Sequence, residues 1–329
     1  MAQKEIWIYA EFINNQLASV YQELLTKAKQ LKKTIPDSII STVVLGYNNA
    51  EKISALQELG TEKIYQVDNE NLSIYRQDVY AKVVSELISL YSPEMFFIGA
   101  TAIGSELAPT VAIKNRTGLA AHCVDICHDT EKNRINCLVP AFGGKVVSEI
   151  YISKHRPIMA SVRPGILEKQ DFEPISNVEI INSQASYQSL TSQEVLLEVV
   201  EQTQTEKSLT EADIALVAGR GVANKSSFDL LEKLSHKLGV GLGYTRSFTD
   251  SGFVSDETHV IGTSGVSIKP QLFIGFGISG AIHFVSGMEK SKVVYNINND
   301  NKAKIFNVSD YGAVGDANKV IELLSKKYF

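Results

Sequence analysis

The chain has little cysteine, few prolines and no surplus of positive charge, and each shortage removes a class of explanation. Its three cysteines, Cys123, Cys127 and Cys137, are too few and odd in number for a disulfide framework. The net charge is −5, from 32 Lys and Arg against 37 Asp and Glu, so nothing builds a basic face for nucleic acid. No apolar run is long enough to span a bilayer, and no membrane insertion is expected. The start of the chain enters a strand pattern at once, in Glu5–Ala10 (EIWIYA). It lacks the basic, apolar and small-residue pattern of a signal peptide and the Arg-rich stretch of an organelle presequence. The expectation is a cytoplasmic protein. Only 8 prolines occur, and no segment is low in complexity.

What is present suits soluble globular domains. Hydrophobic residues make up 44% and charged residues 21% of the 329 positions, a length that suits two domains. The cysteines lie in a stretch, HCVDICH, where His122 and His128 flank Cys123 and Cys127. Thiolate and imidazole are zinc ligands, which invites a metal reading. The stretch also alternates like a strand, sending Cys123, Asp125 and Cys127 to one face and His122 to the other. Without a Cys-x-x-Cys knuckle, buried free thiols are the favoured reading.

The first half alternates strand and helix patterns. Strands are expected at Ile6–Ala10, Ser41–Leu45, Lys63–Val67 and Met95–Ile98, with helices near Ala18–Leu31, Asn49–Glu58, Ile74–Leu90 and Glu106–Lys114. This pattern implies an α/β fold with parallel strands joined by crossovers. From Gly118 to Pro164 several β segments follow, including Val146–Ile152 and Ile158–Val162, and the sheet is expected to gain extra or antiparallel strands there. The chain turns polar between about Asn182 and Asp213, with Val195–Val200 as an apolar segment inside it. A boundary is placed near Glu201–Glu211, giving domains 1–205 and 206–329. The second domain opens with Ile214–Gly221 (IALVAGRG). A helix is expected over Ser226–Leu238, strands near His259–Gly262, Leu272–Gly277 and Lys292–Ile297, and a helix from Ser279 to about Ser286.

Residues Gln271–Asp300 carry the chemistry. An apolar strand feeds Gly275-Phe276-Gly277-Ile278-Ser279-Gly280, which fits G-x-G-x-x-G, and Asp300 lies 20 residues beyond Gly280. Glycines permit a tight turn and let backbone approach a pyrophosphate, and the next helix would present its unpaired N–H groups. A polar residue ending the following strand can reach ribose or adenine. A dinucleotide site is one reading, a merely tight turn the other. Periodicity does not separate NAD from FAD. Gly219-Arg220-Gly221, Thr245-Arg246 and Ile261-Gly262-Thr263-Ser264-Gly265 supply Arg, Thr and Ser at further strand ends, which suits a large polar-headed ring as well as a pyrophosphate.

The sequence resembles the α subunit of electron-transfer flavoproteins over nearly its whole length. The matching text is Tyr9-Ala10-Glu11, FIGATAIGSELA at Phe97–Ala108, Thr117-Gly118-Leu119, PAFGG at Pro140–Gly144 and MASVRPG at Met159–Gly165. It continues in Gly219-Arg220-Gly221, Thr245-Arg246, Asp250, GISGAI at Gly277–Ile282 and DYGAVGD at Asp310–Asp316. The resemblance implies an N-terminal α/β domain packed on a β subunit and a C-terminal doubly wound domain that binds FAD. It implies that Arg220 contacts the pyrophosphate region, and that Thr245 keeps a hydroxyl where the family has Ser. It places Arg246 against the flavin ring, and Ser264 where a Thr hydroxyl reaches flavin N5. Ser279, Gly280, Ala281 and Ile282 would hold the phosphates and ring edge, with Asn298, Asp316 and Ala317 at adenosine-contacting positions.

There are departures. The family reads Gln-His where this chain has His283-Phe284, so the resemblance implies loss of a hydrogen bond to the flavin at Phe284 and weaker stabilisation of its one-electron-reduced form. Ser105, Thr110 and Val139 stand where arginine is frequent. The implied function is electron carriage between flavoprotein dehydrogenases, such as those acting on acyl-CoA, and other redox partners. Three rivals remain open. One is a bifurcating complex that oxidises NADH and reduces ferredoxin. Another is a self-sufficient NAD-dependent dehydrogenase, and the last a flavin-less binding module.

Overall fold

The computed structural model describes residues 4–13, 15–141, 146–175, 177–183, 192, 194–198, 209–222, 224–254 and 258–328. The chain divides into two compact units, the first mainly Met1–Ala141 and Val147–Val199, the second mainly Val200–Phe329. Most of the expected linker, Glu201–Glu211, lies outside the described residues. Among the described residues, no helix is long and apolar enough to cross a membrane.

The first unit begins with β1 (Lys4–Ala10), a small hairpin of β2 (Phe12–Ile13) and β3 (Gln16–Leu17), and helix α1 (Val20–Lys32). It continues through β4 (Ser38–Gly46), α2 (Ala50–Glu58), β5 (Lys63–Asp68), α3 (Gln77–Tyr91), β6 (Met95–Gly99) and α4 (Ala102–Lys114). Then come β7 (Leu119–Cys123), β8 (Asp125–Asp129), β9 (Arg134–Ala141), β10 (Val146–Ile150), β11 (Ile158–Val162) and β12 (Glu179–Asn182). Seven strands form a sheet in the order β12-β5-β4-β1-β6-β11-β7, paired in parallel. Its strands are apolar runs because helices cover both faces. Ile6, Ile8 and Ala10 of β1 pack on the α1 side, while Trp7 and Tyr9 pack with α3 and α4 on the other.

Three expectations are corrected here. The strands after Gly118 do not all extend the main sheet. β7 and β11 join it in parallel, while β8, β9 and β10 form a separate three-stranded sheet in which β8 and β9 are antiparallel. The alternation through HCVDICH breaks because His122 has φ 58° and the chain changes sheets at Val124. Cys123 and Cys137 are buried and Cys127 half-buried, all three as free thiols. Among the described residues, no group of three or more His, Cys, Asp and Glu side chains is placed to hold a metal ion. Helix α4 starts at Ala102 rather than Glu106, because the Thr101 hydroxyl accepts from Gly104 N at 2.9 Å and caps it.

The second unit carries β13 (Ile214–Ala218), α5 (Lys225–Leu238), β14 (Gly241–Thr245), the single turn α6 (Arg246–Thr249) and β15 (Val260–Ile261). It ends with β16 (Leu272–Phe276), the single turn α7 (Ile282–Val285), β17 (Val294–Asn298), β18 (Tyr311–Val314) and α8 (Ala317–Tyr328). Its six strands run β15-β14-β13-β16-β17-β18, paired in parallel. In chain order this is 3-2-1-4-5-6, the arrangement of doubly wound dinucleotide folds. Helix α5 is set by Asn224, whose side chain accepts from Ser227 N at 2.7 Å, and by Gly239 at φ 63°.

Candidate functional site

In a sheet of this order the direction of winding reverses between β13 and β16. The crevice outside the carboxyl ends of those two strands is where such folds take ligands. Two glycine turns meet there. Gly219 N donates to Phe276 O at 2.8 Å and Gly221 N to Gly277 O at 2.9 Å. A Cβ on Gly219 would stand 2.5 Å from Gly277 O, and one on Gly277 would stand 2.6 Å from Gly221 Cα. Gly277 also has φ 65°, a conformation in which a side chain is strained. The two turns therefore pack backbone against backbone, leaving a crevice floor without side chains.

Every sequence-predicted site residue lies at or just beyond the carboxyl end of one of these parallel strands. Arg220 is exposed between the two glycines that follow β13. Thr245 closes β14 and is buried, its hydroxyl 3.2 Å from that of Ser247, and exposed Arg246 opens α6 directly after it. Ile261, the last residue of β15, enters the core and Gly262 after it is buried, while Thr263 is half-buried and Ser264 and Gly265 are exposed.

The turn after β16 is held to two neighbours. Thr263 N donates to His283 O at 2.9 Å, and Thr263 Oγ1 lies 3.3 Å from His283 Nδ1. On the other side, Ile305 N donates to Ser279 O at 3.2 Å. Gly280 has φ 84°, and a Cβ there would stand 2.6 Å from Ile305 Cα. Gly280 is buried, while Ser279, Ala281, Ile282 and His283 are exposed.

The expected helix from Ser279 to Ser286 is only the turn Ile282–Val285, whose N-cap position, Ala281, makes no side-chain cap. The anion-binding helix end expected from the motif is thus absent in that form, and the crevice relies on the packed turns instead. Phe284 is buried and meets Phe273 edge-on at 6.2 Å between ring centres. It faces the core, so the imidazole of His283, not the position of Phe284, lies on the open side.

The far end of the crevice is structural in part. Asn298 is buried, its Nδ2 donating to Ile278 O at 2.7 Å and its Oδ1 accepting from Asp300 N at 2.9 Å. It positions the turn after β16 from beneath. Asp300 is exposed and accepts from Lys302 N at 2.9 Å. At Asp316, the side chain and backbone N–H of Asn318 hold the carboxyl below the ordinary range. Ala317 is buried in the core. Sequence reasoning missed Asn318, whose Nδ2 also donates to Gly221 O at 3.3 Å and ties α8 to the β13 turn. Its place two residues after an Asp at a helix start was a usable signal. Ile305 was missed too, and no local pattern marks it.

The site fits a dinucleotide: a bare backbone floor at the switch point, an exposed guanidinium beside it, and hydroxyls on two adjoining turns. Comparison with known proteins agrees. Residues 6–186 match the family described as electron transfer flavoprotein domain, and residues 208–289 match the electron transfer flavoprotein FAD-binding domain. The chain is 35% identical to the electron transfer flavoprotein subunit alpha of Clostridium acetobutylicum, across 98% of this chain and 96% of that protein. It is 34% identical to the lactate dehydrogenase (NAD(+),ferredoxin) subunit LctC of Acetobacterium woodii, across 97% of this chain and 76% of that one. It is 28% identical to the acryloyl-CoA reductase electron transfer subunit beta of Anaerotignum propionicum, across 98% and 94%.

Proposed function

We propose, from the premise that this chain belongs to the electron transfer flavoprotein family as an α subunit, that it carries electrons through FAD held in its second domain, 206–329. The observation that carries this reading is the glycine-floored crevice between β13 and β16, with Arg220 at its rim. Bound there, FAD supplies reversible electron transfer, while the protein orients it and sets its potential. Arg220 offers a fixed charge to the diphosphate, and Ser279 and the packed turns cradle it. Thr263, Ser264 and His283 offer hydrogen bonds along the joined turns that follow β15 and β16. Arg246 supplies a permanent positive charge, which favours a reduced and more anionic ring.

The working partner in this reading is a β subunit bound through the first domain, 1–205. The electron donor or acceptor is a flavoprotein dehydrogenase of the acyl-CoA type. A second reading is favoured by the relatives whose names include NAD(+), ferredoxin and acryloyl-CoA reductase. In it the chain serves a complex that oxidises NADH and reduces ferredoxin together with an acyl-CoA dehydrogenase. One experiment tests both: purify the chain with its co-expressed neighbour, record the visible spectrum, then release and count the nucleotides. Yellow protein with a single FAD and a stoichiometric second polypeptide supports the carrier. A second FAD with NADH oxidation supports the complex. A colourless chain that binds NAD alone removes the FAD reading.

A further inference from the structure

The first sheet also reverses its winding, between β1 and β6, and a polar cavity lies at that point. The residue after β1, Glu11, is only 4% exposed. One carboxylate oxygen, Oε2, accepts from the Thr101 hydroxyl at 2.6 Å, while Oε1 is buried without a hydrogen-bond partner. A buried carboxylate with an idle oxygen is costly and calls for a partner. Against it opens a cavity of about 220 Å³ whose wall includes Tyr9, Phe12, Tyr75, Tyr80 and Ile103. The rings of Tyr75 and Tyr80 meet edge-on at 5.0 Å. Lys52 also borders the cavity, but its Nζ donates to Asn49 Oδ1 at 3.2 Å and lies 5.7 Å from the centre of the Phe12 ring.

We propose that this cavity binds a small organic cation, an ammonium or guanidinium group, with the Glu11 carboxylate as counter-ion and the tyrosine rings as its wall. Carboxylate and aromatic faces both attract such a group, and each attraction strengthens where water is excluded. A phosphate-bearing ligand is disfavoured. Glu11 brings negative charge to the start of α4, and the Thr101 hydroxyl already accepts from Gly104 N there.

The test is calorimetric titration of the full chain, with the subunit that co-purifies with it, using L-arginine and 1,4-diaminobutane as probes and AMP as counter-probe. Saturable binding of at least one cation is expected, and none of AMP. Glu11→Gln keeps the side-chain shape and the bond from Thr101, and should weaken binding at least about tenfold. Ile103→Trp, which fills the cavity from α4, should abolish it. Glu11→Gln should melt no lower than the parent, and both variants should keep its flavin content. If Ile103→Trp does not fold, Glu11→Gln decides alone. No heat from either cation, affinity unchanged in Glu11→Gln, or AMP binding in their place would overturn the proposal.

Discussion

Across the first sheet the central strands run β5-β4-β1-β6, and across the second β15-β14-β13-β16. In chain order both read 3-2-1-4, so both sheets present a crevice at the same topological place. The residues at the strand ends differ. β1 leads to Glu11, a buried carboxylate that meets the hydroxyl capping a helix of 13 residues. β13 leads to Gly219-Arg220-Gly221, an exposed cation between glycines, facing a turn whose helix has only 4 residues. One crevice is closed to phosphate by its own charge, and the other is open to it. The shared topology fixes where a ligand can sit, and a few residues beyond the strands decide its sign.

The largest effect in that comparison belongs to glycine. Gly280→Ala forces a side chain into φ 84° and against the backbone of Ile305. A loss of about 3–4 kcal/mol in the second unit, with loss of flavin, is expected. Gly104→Ala is the mirror test, since its Cβ would collide with Gly99 O. It should destabilise the first unit and leave the flavin-to-protein ratio intact. Thermal melts followed by flavin absorbance and by backbone circular dichroism separate the two.

Next in size is Arg220→Gln. Loss of one charge-assisted hydrogen bond of about 1.5–3 kcal/mol should weaken FAD about 10- to 100-fold. Because Arg220 is exposed, the flavin-stripped protein should melt within about 0.5 kcal/mol of the parent. Unchanged affinity would detach Arg220 from the site. Asn298→Ala should do the reverse, destabilising the stripped protein by about 1–3 kcal/mol through two lost internal hydrogen bonds. An equal melting temperature with and without Asn298 would argue for a role in direct ligand contact instead.

The smallest effect concerns pH. Burial raises the Glu11 carboxyl above its usual 4.5, against the lowering effect of the Thr101 hydrogen bond. A raised folded-state value means its stabilising contribution is full below 4.5 and is lost as pH rises through the folded value. Glu11→Gln should therefore melt at or slightly above the parent at neutral pH, with the difference shrinking in acid. A variant that melts lower at every pH would show instead that the ionised carboxylate is stabilising.

Much of this was legible in the sequence. The apolar runs of β1, β4, β6 and β16 announced parallel strands covered on both sides, and G-x-G-x-x-G marked the turn after β16. Other features depend on contacts distant in sequence. β12 carries exposed and half-buried side chains and exists because it pairs with β5, so no apolar run reveals it. The helix after Gly280 is cut short where Gly287 packs on Gly262, a contact that periodicity does not encode. The facing of Phe284 and His283 follows from the Phe273 ring and the Thr263 turn, not from their order in the chain. Asn298 was legible as a polar strand end but not as a side chain already engaged on both sides.

In this reading flavin occupies the second crevice and not the first. Hydrogen–deuterium exchange on flavin-loaded and flavin-stripped protein tests it directly. New protection is expected at 219–222, 262–265 and 277–283 on loading, with 10–12 and 99–104 unchanged. Protection confined to the stretches around Glu11 and Thr101 would contradict it.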